Sequence, residues 1–161
     1  MGTVTLAVSA SRQATVYALA TTLDGTRATL AAAVPLARGS SARLQLLVPQ
    51  VVPYPLPLEA PAESISFVAE RYRSLLRQLE AEADVRLCLC RRPDDVLRML
   101  PAHATVVVGG PAGTWRAQRE ERLAWRLTHL GHHVVFAPIE EHAGAKESSP
   151  SGGARPVPSA W

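Results

Sequence analysis

A chain of 161 residues, 47% apolar and 19% charged, has the make-up of one globular domain with enough length to close a core. No apolar run approaches the ~20 residues of a membrane helix, and no basic stretch followed by an apolar one opens the chain as a secretory leader would, so no membrane partner and a cytoplasmic location are expected. The formal charge of +3 comes from 16 arginines and the single Lys146, interspersed with acids, which makes nucleic acid an unlikely partner.

Residues 1–14 precede what reads as a complete domain over 15–138, as an extra edge strand or a loose extension. TVYALATTL (15–23) is rich in β-formers and mostly apolar, as a strand covered on both faces must be. Asp24-Gly25-Thr26 is expected as a turn whose Asp or Thr caps the helix RATLAAAVPLAR, with Gly39 as its stop and Pro35 as a kink or early end. ARLQLLVPQVV (42–52) is the second strand, broken at Pro49, and PYPLPLEAPAE is an extended surface loop. From Glu63 to Ala83 the apolar residues Ile65, Val68, Tyr72, Leu75, Leu76 and Leu79 step by three and four, which predicts a helix.

VRLCLC (85–90) is the third strand, with Cys88 and Cys90 on one face as small buried residues. A disulfide at that spacing has poor geometry, and two thiols are too few for zinc. Free thiols suit a reducing compartment. Pro93-Asp94-Asp95 starts a short helix, and ATVVVGG (104–110) is the fourth strand. Residues 116–130 are predicted helical, with Leu123, Leu127 and Leu130 inward and Gly131 closing the segment, and HHVVFAP (132–138) is the last strand. From 139 to 161 there is little to bury, and disorder is expected.

Alternating strands and helices imply a parallel sheet with right-handed crossovers and helices on both faces. Three stretches add detail: LATTLDGT, ARLQLLVPQVV with its proline-rich loop, and TVVVGGPAG. In that order, over 15–138, they resemble the first strand with its Asp-Gly-Ser, the second strand, and the fourth strand with its phosphate turn in the universal stress protein family. The resemblance implies a doubly wound α/β fold of five parallel strands in the order 3-2-1-4-5. Its ligand crevice would lie between strands 1 and 4, with Asp24 facing Gly110 across it. It also implies a homodimer formed by the last strand, through Val134, Val135 and Phe136.

The nucleotide signature of the ATP-binding branch is Gly, two residues, Gly, nine residues, Gly, then Ser or Thr. Gly110 and Gly113 match its first half, but Leu123 and Ala124 stand where the second half belongs, and 114–130 holds no glycine. The expectation is therefore a non-enzymatic stress-response or regulatory module that acts by dimerisation or through another protein, with a degenerate nucleotide site and no cofactor. The alternative is weak ATP or AMP binding through the residual Asp24, Val48, Gly110 and Gly113. Gly110 and Gly113 can also serve the strand-to-helix turn alone. A nucleotide hydrolase activity would rest on fold analogy only. Arg116, Arg119, Arg122 and Arg126 step along one helix face and, with Glu120 and Glu121, read as a solvated surface. His129, His132 and His133 lack the acids or thiols of a metal site.

Overall fold

A computed structural model describes residues 14–59, 63–112 and 118–139. The expectations for 1–13 and 140–161 lie outside the described residues. In chain order the elements are β1 (Thr15–Leu19), α1 (Leu23–Gly39), β2 (Arg43–Val51), α2 (Ile65–Gln78), β3 (Asp84–Cys90), a 3-10 helix (Pro93–Met99), β4 (Thr105–Gly110), α3 (Gln118–His129) and β5 (His133–Pro138). The strands form one parallel sheet in the order β3-β2-β1-β4-β5. The expected fold class is the observed one.

Side chains alternate across each strand and so feed two cores. On one face Val16, Ala18, Leu46 and Val107 meet Leu30 and Ala33 of α1 and Val68, Tyr72 and Leu76 of α2. On the other, Leu19, Leu47, Val106 and Val108 meet Val96 and Leu97 of the 3-10 helix and Leu127 of α3. Right-handed crossovers explain the split, because the first two connections run one way along the sheet and the last two the other. Full burial of each Leu or Val contributes roughly 1.5–3 kcal/mol.

Several boundaries differ from expectation. β1 ends at Leu19, not residue 23, and α1 starts at Leu23, where the Thr22 side chain accepts the Gly25 N–H and takes the capping place expected of Asp24 or Thr26. Pro35 does not stop α1, because it lies on the exposed side, where the Ala31 carbonyl it leaves free reaches solvent. Pro49 does not break β2 either. β1 pairs with β2 only as far as Leu47, and Pro49 shares the parity of Leu47, so its missing N–H falls on the side that β1 has left.

α2 is shorter than 63–83, and Ile65 and Leu79 at its ends are exposed. Leu130, expected inward, is exposed beyond the end of α3, while Gly131 closes that segment with φ +83° as expected. The short helix after Pro93 is of the 3-10 type. The Asp95 carboxylate accepts the Arg92 N–H at its start. No helix among the described residues is long and apolar enough to cross a membrane.

Candidate functional site

The strand order reverses between β1 and β4, and there the start of α1 is drawn tightly onto the sheet. A Cβ added at Gly109 would collide with the Gly25 carbonyl and come within 2.7 Å of the Thr29 N and Oγ1. One added at Gly25 would run into Thr21 Oγ1 and lie 2.8 Å from the Gly109 carbonyl. Threonine hydroxyls fasten this contact. Thr21 Oγ1 donates to the Gly109 carbonyl (2.9 Å), Thr26 Oγ1 to that of Thr22 (2.7 Å), and Thr29 Oγ1 to that of Gly25 (2.8 Å). All three hydroxyl protons are committed to backbone carbonyls of α1, the residue before it and β4.

Above the carboxyl ends of the strands lies a cavity of about 250 Å³. Its walls come from the loop after β1 (Thr21, Thr22), the end of β2 (Pro49, Val51), Tyr72 of α2, the 3-10 helix (Asp94, Val96) and α3 (Arg119, Glu120, Leu123). Its place is where doubly wound sheets bind ligands. Glu120 is turned inward with only 8% of its surface exposed, not spread on a solvated face as expected. Gly110 makes room for it, since a Cβ there would fall 2.6 Å from Glu120 Cβ and 2.7 Å from Cγ.

Three of the four expected site residues are described, and none of the three lines this cavity. Asp24 is exposed in the first turn of α1, and Val48 is buried in the core beneath α1 and α2. Gly110 sits under Glu120, and the close contact across the crevice joins Gly25 to Gly109. Gly113 lies outside the described residues, as does Arg116. Sequence reasoning missed Thr21, Thr22, Tyr72, Asp94 and Glu120. For Glu120 a signal existed, because Glu120, Leu123, Ala124 and Leu127 step by three and four along one stripe of α3.

Beside the cavity, Arg91, Arg92, Arg119, Arg122 and Arg126 border a basic groove around Asp94. Arg126 pairs with Asp94. Arg91 holds the proline-rich loop, donating to the carbonyls of Val52 (2.9 Å) and Leu56 (2.8 Å) with its guanidinium over the Tyr54 ring. Cys88 and Cys90 are buried and free, and desolvation pushes both thiols up, helped at Cys90 by the Asp95 carboxylate. The buried His132 is engaged through Nδ1 with the Ala104 N–H (3.2 Å), and His129 stacks on Trp125. No group of three or more His, Cys, Asp or Glu among the described residues is placed to hold a metal. Compared with models of known protein families and with curated proteins, the chain matches none.

Proposed function

We propose that this protein is a non-enzymatic, universal-stress-protein-like regulatory module that acts by association, as a homodimer or with another protein, and whose nucleotide crevice does not take a triphosphate. The observation that carries this proposal is Glu120. A carboxylate-bearing side chain packs on Gly110, the glycine that opens the phosphate turn in the resembled family. A phosphate oxygen about 4 Å from that carboxylate would be repelled by roughly 4 kcal/mol at an effective dielectric constant near 20. The absent Gly-Ser step removes two or more charge-assisted hydrogen bonds, at least about 3 kcal/mol or a hundredfold in affinity.

The association half of the proposal draws support from the outer edge of β5, which among the described residues pairs only with β4. Val135 on that strand is 39% exposed, and Trp125 and Leu130, on and just beyond the helix packed over it, are 61% and 59% exposed. Bare apolar edges invite pairing with a second strand.

Titration calorimetry with magnesium and ATP tests the nucleotide half. The expected dissociation constant is no tighter than about 0.1 mM. Micromolar binding that disappears in Gly113→Val would replace this proposal with an adenine-nucleotide module using Asp24, Gly110 and Gly113.

A further inference from the structure

The cavity at the reversal of strand order contains an acid that has no partner among the described residues. Glu120 is more than nine-tenths buried, and it makes no hydrogen bond or ion pair among the described residues. No polar side-chain atom among those residues is sealed off without a partner, so its carboxylate oxygens keep accessible surface, and Glu120 is one of the residues that line the cavity. Its chain neighbour Arg119 borders the cavity but makes no ion pair with it, and the other acid, Asp94, is already paired with Arg126. Set in the first turn of α3 and open to the cavity, this carboxylate is a ready counter-charge for a cation.

The remaining walls say what that something looks like. Leu19, Pro49, Val51, Val96 and Leu123 give an apolar lining, and Thr21 and Thr22 add hydroxyls on the α1 side. A volume near 250 Å³ is about eight waters' worth, room for roughly ten heavy atoms. We propose that this cavity binds a small organic cation, an ammonium or guanidinium group on a compact apolar body, with Glu120 as its counter-ion. The inference concerns the crevice of the proposed function but does not depend on the protein's mode of association.

Calorimetry on the full chain with three isosteric probes tests it: phenethylamine, phenethyl alcohol and phenylacetate. The amine should bind saturably, the alcohol at least about tenfold more weakly, which is about 1.4 kcal/mol, and the acid not detectably. Glu120→Gln should lower amine affinity by a similar factor while the ligand-free variant keeps the wild-type circular dichroism spectrum. An amine that binds no better than the alcohol overturns the inference, with no variant needed. A Gln variant that binds the amine as well as wild type overturns it too. Failure of the amine together with failure of ATP would overturn this inference and leave the proposed function standing. Micromolar ATP binding would overturn the proposed function, and the amine-against-alcohol comparison would still decide this inference on its own.

Discussion

Glycine and cysteine carry much of the residue-scale argument. The approach of α1 to β4 exists only because Gly25 and Gly109 have no side chains. Gly109→Ala should therefore cost about 3 kcal/mol or prevent accumulation of folded protein, measured as a shift in urea midpoint. Gly39→Ala is the control. A Cβ there meets nothing within 4 Å, and the change should be neutral or stabilising by about 0.5 kcal/mol. Equal losses at both positions would contradict the packing account. The buried thiols give a pH dependence. Burial raises both in the folded state, so the folded protein holds these protons more tightly than the unfolded chain. Their contribution is fully present below the ordinary thiol value of about 8.5 and is lost as pH rises through the raised folded values. The urea midpoint should fall across that alkaline range, and less steeply in Cys88→Ala/Cys90→Ala. A variant that falls as steeply as wild type would remove the thiols from the account. Gly110 was legible in the sequence as the end of the fourth strand. Glu120 was not, because an acid among arginines reads as solvated until the stripe it shares with Leu123, Ala124 and Leu127 is counted.

At the scale of elements, every strand and helix expected between 15 and 138 is present, and the errors fall at ends and prolines. Apolar periodicity reports which face is buried, and it runs past the last turn that packs, as at Ile65, Leu79 and Leu130. Whether Pro49 breaks a strand depends on whether a neighbour still needs its N–H, and β1's departure after Leu47 is a tertiary fact. The capping threonine was hidden for a related reason. Thr22 lies inside an apolar run that reads as strand, yet the backbone leaves the sheet after Ala20 and bends at Thr22, where α1 begins. β5 makes the element-scale prediction. Among the described residues its outer edge has no partner strand, and Val135→Lys places a charge on it. Sedimentation should move toward monomer with helix content by circular dichroism unchanged. A variant that sediments like wild type would place the interface elsewhere.

For the whole molecule, strand order was readable because alternating elements and right-handed crossovers leave few arrangements of five strands. The site was less readable, since it is assembled from five separate stretches brought together above the sheet, and its cavity is lined by residues adjacent to those in the local motifs. The fold supplies a crevice, and in the proposed reading Glu120 sets what the crevice accepts. The account's central claim is an associating module that works without a triphosphate. Analytical sedimentation of the wild-type chain over a range of concentrations, with and without magnesium and ATP, tests it most directly. The account predicts a concentration-dependent dimer whose position does not change on adding nucleotide. A chain that stays monomeric at the highest concentration, or one that dimerises only with ATP, would contradict it.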